Sequence, residues 1–111
     1  MQWTYLTDEQ QLMEVIKKSS SKAQVIFKHS TRCSISSVAM QRLQKADQPA
    51  EVDFYYLDLL TYRNLSDKIA KTFHVPHESP QVLVIKNGQC VYDESHLGIS
   101  MDEIIDQAKV A

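Results

Sequence analysis

The sequence is short of the residues that mark the less common protein classes. It holds 2 glycines and 3 prolines in 111 residues, too few for a fibrous repeat or a disordered linker. Its 2 cysteines, Cys33 and Cys90, cannot build the disulfide framework of a small secreted domain. In a reducing compartment such thiols are expected to stay reduced unless they are catalytic. No apolar run approaches the roughly 20 residues needed to cross a bilayer. The opening stretch MQWTYLTDEQQ turns polar and acidic at once and lacks the apolar core of a secretory signal. An excess of one charge is missing too: the net charge is -2 with both signs interspersed, which argues against a nucleic-acid surface. The expectation is a soluble, cytoplasmic protein with no membrane or nucleic-acid partner. Its length suits one domain, residues 1–111, with a single core.

What is present is an alternation of strand-like and helix-like segments. WTYL (Trp3–Leu6) is a short strand candidate. Thr7 with Gln10 fits a capping box that opens a helix with Leu12, Val15 and Ile16 on one stripe, ended by KKSSSK. AQVIFKH (Ala23–His29) reads as an interior strand. Ile35, Val38, Ala39 and Leu43 then recur at helical spacing up to about Ala46, before ADQPAE breaks the chain. VDFYYLDL (Val52–Leu59) is the next strand, and a helix from about Asn64 carries Leu65, Ile69 and Phe73 on its buried face. VPHESP is a loop. QVLVIKNGQCVYD predicts two strands joined at Asn87-Gly88, the favoured pair for a two-residue hairpin turn. Ser100 and Glu103 form a second capping box before a helix that buries Ile104, Ile105 and Ala108. The order β-α-β-α-β-α-β-β-α predicts an α/β fold: a mixed sheet of about five strands with helices on both faces. Crossovers make parallel pairs and the closing hairpin adds an antiparallel edge.

Chemistry concentrates in HSTRCSISS, residues 29–37. Cys33 falls just after a predicted strand and just before a predicted helix, where ligands of open α/β sheets sit. A helix N-terminus favours an anion, Arg32 adds a full positive charge beside it, and Lys28 and His29 are possible further contributors. Both effects favour the thiolate, which is the nucleophilic form of cysteine. Ser34, Ser36 and Ser37 are candidate hydrogen-bond donors to the sulfur or to a bound adduct. The competing reading is an inert buried thiol, since cysteine is among the most buried residue types. A second cysteine three places on would allow an internal disulfide, but that position is Ser36. A serine hydroxyl does not resolve a mixed disulfide, so the chemistry left to this loop is monothiol exchange.

The whole chain resembles the thioredoxin fold, with Cys33 at the attacking position and Ser79-Pro80 where that fold has a cis-proline. Within it, KHSTRCSIS (Lys28–Ser36) and HESPQVLVIKNG (His77–Gly88) resemble the active-site segment and the proline loop and hairpin of the YtxJ-like monothiol bacilliredoxins. The resemblance implies removal of bacillithiol from mixed disulfides on proteins, with bacillithiol as a thiol co-substrate and no bound cofactor. It implies Cys33 as the catalytic residue, and a cis-Pro80 that leaves the backbone of Ser79 facing Cys33, where it pairs with an extended substrate. Arg32, Ser34 and Ser36 are the further substrate-binding candidates, with Arg32, Lys28 or helix N–H groups to hold the carboxylates of bacillithiol. S-bacillithiolated client proteins, a low-molecular-weight thiol and a recycling redoxin would be its partners. The other functions weighed are an iron–sulfur cluster carrier of the monothiol glutaredoxin kind and a non-enzymatic thioredoxin-fold adaptor. SIS after the cysteine, in place of a glycine- and phenylalanine-containing loop, counts against the carrier.

Cys90, on the predicted edge strand, is either a half-buried strand residue or a distant resolving cysteine; the latter needs its Cα within about 7 Å of that of Cys33. No metal site is expected, because His74 with His77 and His29 with Cys33 are isolated pairs, not a set of four ligands. His77, Glu78 and His96 are candidates to line the groove near Pro80.

Overall fold

In the computed structural model, which describes residues 1–109, the elements follow one another in the expected order. They are β1 (Thr4–Tyr5), α1 (Glu9–Lys18), β2 (Ala23–His29), α2 (Ser34–Lys45), β3 (Val52–Asp58), α3 (Arg63–Phe73), β4 (Gln81–Lys86), β5 (Gln89–Ser95) and α4 (Met101–Lys109). A short 3-10 turn at His96–Gly98, which no sequence signal announced, joins β5 to α4. The five strands form one sheet in the order β1-β3-β2-β4-β5. β1 and β2 both run parallel to β3, whereas β4 runs antiparallel to β2 and β5 antiparallel to β4.

Every residue of β2 is buried, as the central strand of a sheet covered on both faces requires. Its side chains alternate between two cores. Val25 and Phe27 pack with Ala39 and Leu43 of α2 and with Ile104 and Ala108 of α4. Ile26 packs on the other face with Leu12 and Val15 of α1 and with Leu65 and Ile69 of α3. Fully burying such a side chain stabilises by about 1.5–3 kcal/mol, so the two-sided cover of β2 holds the end of that strand firmly. The loop of interest starts at that end.

The structure corrects the sequence reading in three places. The first helix is capped by Asp8, whose Oδ1 accepts from the Gln11 backbone N–H at 2.8 Å, and not by Thr7 with Gln10. The Gln11 side chain reaches back past the N-cap to accept from the Thr7 backbone N–H at 2.7 Å, so it ties down the residue before the cap instead of closing a capping box. The first strand keeps only Thr4–Tyr5 of Trp3–Leu6. Trp3 instead lies against Phe27 and Phe54. The connection through α3 does not produce a parallel pair. α3 descends until Phe73 and His74 lie beside Gly88–Cys90 at the far end of the sheet. The chain then climbs back until His77 is beside Ser66 of α3, so β4 enters from the top and runs down. The hairpin is as expected: Asn87 (φ 53°) and Gly88 (φ 74°) both take the left-handed conformation of a type I′ turn.

Candidate active site

The site is built where β2 ends. His29 is the last strand residue, its carbonyl accepting from the Leu59 N–H at 3.1 Å. The Cys33 N–H returns to the Ser30 carbonyl at 3.2 Å, closing a tight turn. Cys33 is the N-cap of α2, in extended conformation (φ -107°, ψ 121°), and its carbonyl accepts the first helical bond from the Ser37 N–H at 3.0 Å. The thiol is therefore placed at the positive end of a 12-residue helix whose first turn contains no carboxylate. The Cys33 side chain is half-buried, while Arg32, Ser34 and Ile35 around it are exposed. Arg32 forms no ion pair or hydrogen bond among the described residues, so its guanidinium is available to an incoming anion.

Ser36 does something other than the contact expected of it. Its side chain is fully buried, and its Oγ lies 2.6 Å from His29 Nδ1 and accepts from the Ser30 N–H at 3.0 Å. It braces the loop from inside and presents no donor to a bound adduct. Burial among Phe27, Tyr56 and the strand ends holds the His29 imidazole below the ordinary histidine range, against the opposing pull of Asp58 and Ser36. The ring is thus neutral at pH 7, and a neutral ring protonated on Nε2 lets the Ser36 hydroxyl donate to Nδ1 while taking the Ser30 N–H on its oxygen.

The other wall comes from β4. Its register pairs Gln81 with Lys28, which brings Pro80 level with His29 and the start of the cysteine loop. The Ser79-Pro80 bond is cis. Ser79 is half-buried, with an Oγ that is sealed from solvent and has no hydrogen-bond partner. The proline loop is pinned from several sides. Gln81 Nε2 donates to the Pro76 carbonyl at 3.1 Å, and the His96 N–H donates to the Pro80 carbonyl at 3.0 Å. His96 Nε2 also stands 3.5 Å from Glu78 Oε2, linking the residue before Ser79 to the turn after β5. His77 turns inward instead.

Lys28 also departs from expectation. It was a candidate contributor to the field around the thiol, yet its side chain is 0% exposed and lies on the α3 side of the sheet. Its amine donates to the Ser66 carbonyl at 3.3 Å and faces His77 Nδ1 at 3.4 Å. Desolvation lowers its pKa to about 8 despite the opposing charge of Asp67. The sequence held one clue: a lysine in a strand that reads as interior needs partners inside the fold.

Cys90 sits far from this chemistry. It pairs with Ile85, which pairs with Gln24, so Cys90 lies level with the beginning of β2. From Gln24 to His29 the strand rises about 17 Å at roughly 3.3 Å per residue, well beyond disulfide reach. Both cysteines are free, and burial pushes the Cys90 thiol up to about 11. Among the described residues no cluster of three or more potential ligands could hold a metal ion, and no helix is long and apolar enough to cross a membrane. His74 is the left-handed C-cap of α3 (φ 57°), a local role in ending that helix.

Set beside solved structures, this architecture is the thioredoxin fold. The Fasciola hepatica thioredoxin superposes with a TM-score of 0.76 at 19% identity, covering 95% of this chain and 98% of that one. The Malassezia sympodialis thioredoxin gives 0.75 at 19%, covering 96% and 91%. A more similar structure, described as a candidate oxidoreductase with a thioredoxin fold, shares 34% identity over 93% of this chain and 90% of its own, with a TM-score of 0.82. That neighbour and the family match given next, together with a cysteine capping the helix after β2, make the class a thiol oxidoreductase. Within that class the sequence is more specific. The profile of the monothiol bacilliredoxin BrxC family matches residues 4–104, and the chain belongs to that family.

Proposed function

We propose that this protein removes bacillithiol from mixed disulfides on client proteins by monothiol exchange at Cys33. The Cys33 thiolate attacks the bacillithiol sulfur of a protein–S–S–bacillithiol bond. The client sulfur leaves with the electron pair of the broken S–S bond and takes a proton from solvent, and the enzyme carries the Cys33–S–S–bacillithiol adduct. A second thiolate, from free bacillithiol or a recycling redoxin, then attacks the bacillithiol sulfur and releases Cys33. Each step depends on thiolate fraction, leaving group and access.

The observation that carries this reading is the engagement of Ser36. The place of a resolving thiol holds a hydroxyl already bonded to His29 and Ser30, and the other cysteine is at the far end of the sheet. Cys33 consequently has no internal partner, and release of its adduct falls to an external thiol. Support for the substrate class comes from family membership and from the free, exposed Arg32 beside the helix start, which suits the carboxylates of bacillithiol. Ser34 and the backbone of Ser79 would line the same groove, and Pro80 would shape it. The reading needs no bound cofactor and places the protein in the cytoplasm, where such mixed disulfides form.

Intact mass spectrometry after mixing the protein with a bacillithiolated client tests it. Transfer of one bacillithiol to the enzyme is expected, lost in Cys33→Ser and retained in Cys90→Ser. Transfer that survives Cys33→Ser would overturn the proposal.

A further inference from the structure

The exchange chemistry leaves one group of buried and half-buried polar side chains unused. Lys28, Ser66 and His77 come from three separate elements and meet on the α3 face beneath the end of β2. His77 Nδ1 faces two donors, the Lys28 amine at 3.4 Å and the Ser66 hydroxyl at 3.2 Å, while the same amine donates to the Ser66 carbonyl. A ring nitrogen facing an ammonium must be an acceptor, so this imidazole is neutral with its proton on Nε2. Its pKa is held low first by burial, then by Lys28 and Arg63, against Asp67 and Glu78.

A buried cation is costly, and an apolar residue here would join the core of Ile26, Leu65 and Ile69 directly. Stability alone does not account for the lysine. Its position relative to the groove does. His77 lies two residues before Ser79, and on the other side of Ser79 the chain is tied by the Pro80 carbonyl and by β4 pairing. Only Glu78 and Ser79 span the interval between these anchors, the Glu78 N–H donating to Gln81 Oε1 at 3.4 Å. Resting on the exchange reading above, we infer that Lys28 is a positioning residue: through His77 it holds the Ser79-Pro80 loop where an extended client chain pairs with it. A small disulfide needs only the thiol and the helix start. A protein or peptide client also needs the loop, so Lys28 governs preference for extended substrates without touching Cys33.

The test compares two probes on the whole protein. One is a synthetic extended peptide carrying a single S-bacillithiolated cysteine; the other is dithiodipyridine, which reports Cys33 reactivity with a small disulfide. In Lys28→Met, kcat/KM for the peptide should fall at least ten-fold, with the dithiodipyridine rate within about two-fold of the parent. The parent's peptide-to-dithiodipyridine ratio should also fall as pH rises through about 8, where the amine loses its proton, and the variant should lack that step. The charged group acting on the amine is Asp67, and the neutral His77 ring it faces is acted on by Arg63, Asp67 and Glu78; none of these is altered in this comparison. Should Lys28→Met fail to fold, His77→Leu reads the same link from the loop side. His77→Asn, whose Oδ1 replaces the Nδ1 acceptor, should restore the ratio. An unchanged ratio in Lys28→Met, or in His77→Leu where only that variant folds, would overturn the inference. Absence of transfer from the peptide to the parent protein would instead overturn the exchange reading itself.

Discussion

Ser36→Ala isolates the link between His29 and the cysteine loop. The substitution removes one hydroxyl from a site with no solvent access and leaves two groups behind. The His29 Nδ1 contact at 2.6 Å is lost, worth about 1 kcal/mol net for a buried hydrogen bond. The Ser30 N–H, which donates to Ser36 Oγ at 3.0 Å, loses its acceptor in a residue only 8% exposed, a penalty of about 1–3 kcal/mol. Alanine returns about 0.5 kcal/mol through better helix propensity. The net loss is about 1.5–3.5 kcal/mol, which for a domain of this size lowers Tm by about 6–15 °C. Urea unfolding followed by fluorescence reads it well, because the single tryptophan, Trp3, packs on Phe27 and Phe54 of the same core. Ser37→Ala is the control. Its hydroxyl shares the Cys33 carbonyl with its own N–H, so its removal should cost under about 0.5 kcal/mol. A loss in Ser36→Ala no larger than in that control would refute the bracing role.

Other consequences can be measured alongside it. His29 and His77 are both held below the ordinary range, so the unfolded chain takes up protons first as pH falls. Their contribution to stability is present above about pH 6.5 and is lost as pH drops below it; a flat unfolding midpoint from pH 7 to 5 would contradict this. Lys28 gives the same sign at the alkaline end, because the folded protein releases that proton first. Stability should rise between about pH 8 and 10.5 in the parent and not in Lys28→Met, as denaturant titrations would show. Gly88→Ala places a side chain at φ 74° in the hairpin turn and should destabilise by about 1–2 kcal/mol, whereas an unchanged midpoint would deny the type I′ geometry. Alkylation at pH 7.5 with peptide mapping should modify Cys33 far faster than Cys90, whose thiol is half-buried and pushed up to about 11.

Much of the molecule was written locally in the chain. The β-branched run of Ala23–His29, the helical spacing of Leu65, Ile69 and Phe73 and the Asn87-Gly88 pair each act through near neighbours, so periodicity and turn chemistry located them. The cysteine could be placed at a strand-to-helix junction for the same reason, and Ser36 three residues on already excluded an internal disulfide at that spacing. Tertiary structure decided where the polar side chains go. Ser36 and Lys28 are polar by sequence and buried in fact, because their partners, Ser66 and His77 for Lys28 and the inward-facing His29 for Ser36, are brought in by packing. The antiparallel entry of β4 was equally out of reach: helix length and loop composition do not reveal that the chain returns to the top after α3. Local spacing sets what each segment is; which charges and hydroxyls share a site depends on contacts between segments far apart in sequence, and only the folded chain makes those.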